Sequence, residues 1–422
     1  MQTLVVEGGR KLFGEIKIAP AKNACLPIIA SSIATSGSIL LKEAPQISDV
    51  IVMSEIIDDL GGSFSLDEEG LHLWTDGINC FIGNELTFGK VRASFFTAGA
   101  LLSRFRKAYI PYPGGCNIGN RPIDIHIDGF KELGVKVEYG NNGVYLDGKN
   151  MHCGNIKLRY PSVGATVNIV CAALCVDGET TIEGVACEPE IIDLCNFLIK
   201  CGYEVKYYGR RITVVGRKDI VKVDIEYKPI NDRIEAGTFM LACVACGGEV
   251  NFAFDCVNGI KSVMDVINDI GGRTYFNNGY VTVISDKCIH ATNVVADYFP
   301  AFPTDLQPQL SAVLSIASGR STITDRVFPH RYCYEKMLKK FGAKTNVSNG
   351  KITIDGVEKL NAAEVEVGDL RGGAALCIAA LTASGRSIIN GAGIISRGYE
   401  KLCEKINSLG GHIKEINRAI GR

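Results

Sequence analysis

Apolar residues recur along this chain at helical spacing, in a rhythm that itself repeats. An amphipathic helix ends in an apolar residue or cysteine followed by glycine at Leu60-Gly61, Leu133-Gly134, Cys201-Gly202, Ile270-Gly271, Phe341-Gly342 and Leu409-Gly410, a period of roughly 70 residues. Each glycine opens a strand, then a turn and usually a second strand. The clearest hairpin runs Gly134-Val135-Lys136-Val137-Glu138-Tyr139, turns at Asn141-Asn142-Gly143 and returns through Val144-Tyr145-Leu146. A second family of helices, small and apolar on every side, begins near Leu26, Ser94, Thr166, Glu235, Leu306 and Gly372. Helices apolar all round belong inside a core, whereas the first family can show one face to water. Short strands such as Thr180-Thr181-Ile182 and Ser321-Thr322-Ile323-Thr324 link the two families. The pattern therefore predicts an α/β fold of six βαβαββ-like repeats, with buried helices inside and sheets packed outside them.

The repeats divide three and three at Tyr227-Lys228-Pro229-Ile230-Asn231-Asp232, and Pro20 precedes the first of them. Two domains follow, one over residues 20–229, the other over 230–422 together with 1–19. The leading strands, over residues 3–7 and 12–18, fall outside the first three repeats and are expected to complete the second domain. The chain then crosses between domains twice, with hinges at the two prolines, and a cleft between such domains is the expected ligand site.

Composition narrows the partners. Of 422 residues 22% are charged, the net charge is -1 and 46% are hydrophobic; such a chain has no basic field for nucleic acid, and anions must be held by local clusters. No apolar run, the longest around residues 167–176, approaches the ~18 residues of a membrane span. The first residues lack the basic region and apolar core of an export signal. The 16 cysteines, mostly inside apolar helical patterns, are read as reduced core thiols of a cytoplasmic protein. Cys243 and Cys246 form the one C-x-x-C, without a second pair, and the six histidines show no ligand spacing, so no metal site is assigned.

The most unusual stretch is Pro113-Gly114-Gly115-Cys116-Asn117-Ile118-Gly119-Asn120-Arg121-Pro122. Glycines loosen the backbone and the prolines stop flanking elements from growing into it. A surface turn with an incidental cysteine is the plain reading; a lid that carries an acid or nucleophile onto an anionic substrate is the sharper one. Asn120-Arg121 stands where a nucleotide-hydrolysing P-loop requires Lys-Ser/Thr. Cationic residues collect at corresponding ends of the buried helices: Lys22 beside Asn23, Arg92, Arg331, Arg371 and Arg397, with Arg121 at the end of the lid. Singly each reads as a surface charge; six at matching places in a nearly neutral chain point to an anion. Ser162-Val163-Gly164-Ala165-Thr166 opens one helix and offers amide and hydroxyl donors. Asp305, in Phe302-Pro303-Thr304-Asp305, opens another and is either a helix-end carboxylate or a general base.

Together Lys22-Asn23, Arg92-Ala93-Ser94, the cysteine loop through Arg121-Pro122-Ile123-Asp124, Ser162 to Thr166, Glu188-Pro189-Glu190, Phe302 to Asp305, Asp369-Leu370-Arg371 and Arg397-Gly398-Tyr399-Glu400 resemble the UDP-N-acetylglucosamine 1-carboxyvinyltransferase family, the enolpyruvyl transferases of peptidoglycan synthesis. The resemblance spans essentially the whole chain. It implies a two-domain inside-out α/β barrel without cofactor or metal. It also implies transfer of the enolpyruvyl group of phosphoenolpyruvate to the 3′-hydroxyl of UDP-N-acetylglucosamine, with release of phosphate. On that likeness Cys116 is the proton donor and the target of fosfomycin-type alkylation, and Asp305 takes the hydroxyl proton. Lys22, Asn23, Arg92, Arg121, Arg331, Arg371 and Arg397 are expected around phosphoenolpyruvate. The nucleotide sugar is expected against Asn23, Arg92, Arg121, Pro122, Ile123, Asp124, Ile125, Tyr160, Pro161, Ser162, Val163, Gly164, Asp305 and Val327. Departures from the family pattern are mild: Pro20 replaces a glycine, Cys25 an alanine, and Tyr332-Cys333 follows Arg331. A paralogue acting on another nucleotide sugar fits the same motifs. A non-catalytic UDP-sugar binder has no need of Cys116 and Asp305. The sister transferase acting on shikimate 3-phosphate carries Ser-Lys-Ser where this chain has Ala21-Lys22-Asn23.

Overall fold

The computed structural model of the chain describes residues 2–114 and 123–417. They fall into two compact units, one of residues 2–19 and 231–417, the other of residues 20–114 and 123–230. Ile230 goes with the latter because its N–H donates to Asp193 Oδ2 at 3.2 Å and its carbonyl accepts the Ala21 N–H at 2.7 Å.

Six buried helices supply the cores. In one unit these are α1 (Lys22–Ser32), α2 (Thr97–Phe105) and α3 (Val163–Ala173); in the other, α4 (Arg233–Cys246), α5 (Gln307–Leu314) and α6 (Leu370–Thr382). Within each unit the three pack against one another, which their small, apolar faces allow. Hydroxyls inside them turn back onto their own helix: Thr238 Oγ1 donates to the Ile234 carbonyl and Thr382 Oγ1 to that of Ile378, at 2.7 and 2.8 Å. Such back-bonding lets a polar side chain be buried without an orphaned donor. Lys22 and Asn23 belong to α1 rather than preceding it, because the Ala21 carbonyl already accepts the Ala24 and Cys25 N–H groups. Cys243 and Cys246 lie inside α4, where burial pushes their thiols up to about 12 and about 11; thiols that cannot ionise are packing groups.

The outer helices run Ser48–Asp59, Asp124–Glu132, Pro189–Lys200, Lys261–Asp269, Glu335–Lys340 and Leu402–Ser408. The glycine that follows each, at positions 61, 134, 202, 271, 342 and 410, has φ of 97°, 82°, 99°, 98°, 91° and 86°. The next N–H then reaches back into the last turn, as from Gly62 to the Ile57 carbonyl at 3.0 Å. Only glycine adopts this left-handed cap without steric cost, which is why the period of the fold is visible as a period of glycines.

Three small sheets cover the helices of each unit. Five of the six combine one parallel pair with antiparallel neighbours; in the sixth, Lys107–Pro111, Gly143–Asp147 and Lys136–Tyr139 are antiparallel and the parallel neighbour is reduced to a bridge between Ile82 and Tyr109. The first strand, Gln2–Glu7, lies between Arg386–Asn390 and His412–Asn417 and is antiparallel to both. Leu12–Glu15 runs parallel to Gly248–Ala253. This strand ends at Glu15, short of the expected residue 18, one step before the Ile16 N–H makes a last 3.0 Å bond to the Asn251 carbonyl. No helix among the described residues is long and apolar enough to cross a membrane.

Candidate active site

In the unit of residues 2–19 and 231–417, Asp305 stands on a one-turn 3-10 helix, Thr304–Leu306, that leads into α5. Arg331 Nη1 donates to its Oδ1 at 2.6 Å; Arg371 Nη2 and Nε donate to its Oδ2 at 3.0 and 3.2 Å. Both arginine side chains are only 2% exposed, while Asp305 is 24% exposed. Burial pulls both guanidiniums toward neutrality and the Asp305 charge opposes it; the charge prevails, and both arginines sit above their ordinary value. Two N–H groups of this cluster, Arg331 Nε and Arg371 Nη1, are buried with no hydrogen-bond partner among the described residues.

Each member of the cluster is held from behind. Asp369 caps α6, its Oδ1 accepting the Arg371 and Gly372 N–H groups at 3.0 Å each, and this sets where the Arg371 side chain starts. Its other oxygen accepts the Cys333 thiol at 2.7 Å. The Arg371 guanidinium lies 5.4 Å from the centre of the buried Tyr399 ring, and the Tyr399 hydroxyl meets Thr238 Oγ1 at 2.9 Å and Gln309 Nε2 at 3.1 Å. Thr238, Gln309 and Arg371 belong to α4, α5 and α6, so the floor of the cluster is the junction of all three helices. Asp325 ties the turn to Val327: Thr304 donates to its Oδ2 at 2.6 Å, and its Oδ1 accepts the Val327 and Phe328 N–H groups at 2.9 and 2.8 Å. Arg397 is half-buried at the end of the turn Ala392–Arg397.

In the other unit Lys22 opens α1 and is nearly buried, its Nζ 3.2 Å from Asp49 Oδ2; Asn23 beside it is half-buried. Ser162 caps α3 by accepting the Ala165 N–H at 3.3 Å, which leaves Val163 and Gly164 in the first turn. Tyr160 and Pro161 lead into that turn. Asp124 opens the outer helix that follows Ile123, and Arg159 bridges Asp124 to Asp128, 2.9 Å from the latter. Cys116, Arg121 and Pro122 lie outside the described residues.

Two groups here went unread in the sequence. Arg159 joins the Asp124 turn to the strand end before Tyr160. His126, which follows the buried Ile125, is itself buried; its Nδ1 is 2.8 Å from Asn168 Nδ2. Asn168 also donates to the Phe95 carbonyl at 2.9 Å and accepts the Gly99 N–H at 2.8 Å. A Cβ on Gly164 would come within 2.8 Å of the His126 ring. His126 thus joins the first turn of α3, α2 and the turn that Arg92 opens. Nothing in its spacing marks it, since its partners are 31 to 42 positions away.

Burial, reinforced by the Arg92 charge, drops the His126 pKa to about 3. The unfolded chain takes up this proton near pH 6.5 and the folded chain does not, so the stability that neutral His126 contributes is complete above pH 6.5 and is lost as pH falls toward 3. Over the whole window the loss approaches about 5 kcal/mol. Urea unfolding at pH 7 and pH 4.5 should show a steeper decline for the native chain than for His126→Asn, which keeps an acceptor for Asn168; parallel declines would assign the acid sensitivity elsewhere.

Comparisons with known proteins place the chain in a family. The family model for EPSP synthase (3-phosphoshikimate 1-carboxyvinyltransferase) matches residues 6–406. UDP-N-acetylglucosamine 1-carboxyvinyltransferase 1 of Caldanaerobacter subterraneus subsp. tengcongensis is 40% identical, covering 97% of this chain and 98% of its own. The UDP-N-acetylglucosamine 1-carboxyvinyltransferase of Wolbachia sp. subsp. Brugia malayi is 39% identical over the same shares. Among solved structures, the enolpyruvyl transferase NikO from Streptomyces tendae superposes with a TM-score of 0.89 at 21% identity, over 98% of each chain. EPSP synthase from Acinetobacter baumannii superposes with a TM-score of 0.76 at 17% identity, over 99% of this chain and 100% of its own. Those two likenesses establish the inside-out α/β fold, and the 40% identity goes further: this chain belongs to the UDP-N-acetylglucosamine 1-carboxyvinyltransferase family of enolpyruvyl transferases.

Proposed function

We propose that the protein transfers the enolpyruvyl group of phosphoenolpyruvate to the 3′-hydroxyl of UDP-N-acetylglucosamine and releases phosphate, the committed step of peptidoglycan synthesis. The observation that carries the reading is Asp305, a partly exposed carboxylate held by two buried guanidiniums in a chain of this family. In the addition step the acceptor oxygen bonds to C2 of phosphoenolpyruvate, the hydroxyl proton passes to Asp305, and Cys116 delivers a proton to the methylene carbon. The tetrahedral adduct then loses phosphate, which takes up the proton held by Asp305, and a methyl proton, which returns to the Cys116 thiolate, restoring the double bond and both groups. Lys22, Asn23, Arg92, Arg121 and Arg397 serve the phosphate, and Arg331 and Arg371 the carboxylate, where fixed guanidiniums steady shifting charge better than water does. The nucleotide sugar takes Asn23, Arg92, the segment from Arg121 through Ile125, the segment from Tyr160 through Gly164, Asp305 and Val327. On this reading the enzyme works in the cytoplasm without cofactor, supports cell shape and division, and is a target of fosfomycin through Cys116.

Phosphate release from phosphoenolpyruvate is expected with UDP-N-acetylglucosamine, and not with UDP-glucose, with shikimate 3-phosphate or without acceptor. Release with a different acceptor would keep the chemistry and redirect the pathway. None with any acceptor would leave a binding protein.

A further inference from the structure

We propose that Asp305 occupies the seat of the substrate carboxylate in the substrate-free protein, and that the arriving carboxylate displaces it. The proposal rests on phosphoenolpyruvate being the donor substrate.

Four observations lead to it. What Arg331 and Arg371 grip now is itself a carboxylate, by one bond to Oδ1 and two to Oδ2. The planar guanidinium fork suits that shape, so the ligand class is read from the present occupant. Second, the exposure falls on Asp305 and not on the arginines; a ligand approaching from solvent meets the aspartate first. Third, Arg331 Nε and Arg371 Nη1 are buried and without acceptors among the described residues. A buried donor left unpaired is costly, and these two are spare capacity for a ligand that Asp305 alone does not fill. Fourth, the parts differ in how firmly they are held. Arg371 is fixed by the Asp369 cap and lies over Tyr399, and Arg331 lies over the Phe328 ring at 5.8 Å. Asp305 stands on a turn of three residues that the Thr304 hydroxyl ties to Asp325, so its side chain can swing while the turn stays.

The exchange conserves charge: one carboxylate leaves the guanidiniums and another takes them. It also times the chemistry. A carboxylate gripped by two cations is a weak base, and one released from them is a stronger one. Asp305 would therefore become able to take the acceptor proton only once the substrate carboxylate is in place.

The test is calorimetric titration of the full-length protein, its Asp305→Asn variant and its Asp305→Ala variant with phosphoenolpyruvate, pyruvate and inorganic phosphate, without acceptor. A seat open one-tenth of the time weakens binding about tenfold. Both variants should therefore bind phosphoenolpyruvate and pyruvate on the order of tenfold more tightly, with inorganic phosphate much less affected. Equal or weaker binding of both carboxylates in both variants overturns the exchange. So does a gain shared equally by inorganic phosphate, which is the mark of a general field. Turnover of phosphoenolpyruvate by the unaltered protein is measured separately and decides the substrate reading by itself.

Discussion

Asp305→Asn is expected to lower kcat by about 10²–10⁴-fold, the usual contribution of a positioned general base. The amide keeps the size of the carboxylate and one acceptor oxygen for Arg331 or Arg371, but cannot take the hydroxyl proton. Because the same change removes the negative charge from the guanidinium seat, KM for phosphoenolpyruvate should fall together with kcat. That pairing is the signature of a group that opposes ground-state binding. Steady-state kinetics at saturating UDP-N-acetylglucosamine separates the cases. A drop in kcat with a raised KM would make Asp305 a binding residue, and a retained kcat would remove it from the proton transfer altogether.

Arg371→Ala should be the most damaging single change to the fold of its unit. It truncates a side chain that is 2% exposed and leaves Asp305 with half its grip. Breaking a buried ion pair from one side costs about 3–5 kcal/mol when the remaining charge is left buried and unpaired; here Arg331 still holds the partly exposed Asp305, which puts the cost at the lower end, about 3 kcal/mol. At about 2–4 °C per kcal/mol for a unit of this size, the melting temperature should fall by roughly 6–12 °C. Replacing the whole cluster at once, Asp305→Ala with Arg331→Met and Arg371→Met, removes all three charges and refills part of the volume, and should recover most of the loss. If the single and the triple variants melt together, the cost lies in packing against Tyr399 and not in the broken ion pair. Turnover is expected to disappear in both.

The architecture was legible for a specific reason. The left-handed caps at Gly61, Gly134, Gly202, Gly271, Gly342 and Gly410 admit little except glycine, so each repeat writes its boundary into the chain. The buried helices were legible through their lack of a polar face, although their starts were misjudged by up to four residues: Lys22 and Asn23 look like loop residues, yet they form the first turn of α1. Of the candidate site, Asp305, Arg331 and Arg371 were legible as residue types. Their pairing was not, because Asp305 meets partners 26 and 66 positions away, and an arginine in a polar stretch defaults to the surface. The burial of Arg331 and Arg371 follows from the convergence of three helices, which no local window contains. Asp325 and His126 stayed hidden for the same reason, each being defined by what other elements bring to it.

The placement of the first strand has a consequence for synthesis. Gln2–Glu7 fills the gap between Arg386–Asn390 and His412–Asn417, so this strand, once made, waits for residues 386–417 before its backbone is paired. The unit of residues 20–114 and 123–230 has its described strands complete as soon as Val221–Tyr227 emerges to pair with Thr35–Lys42. The other unit cannot close this sheet until residues 412–417 have emerged. A nascent chain stalled before residue 412 would carry one finished unit and an apolar strand, with Leu4 and Val6 on its buried face, still seeking an edge to pair with.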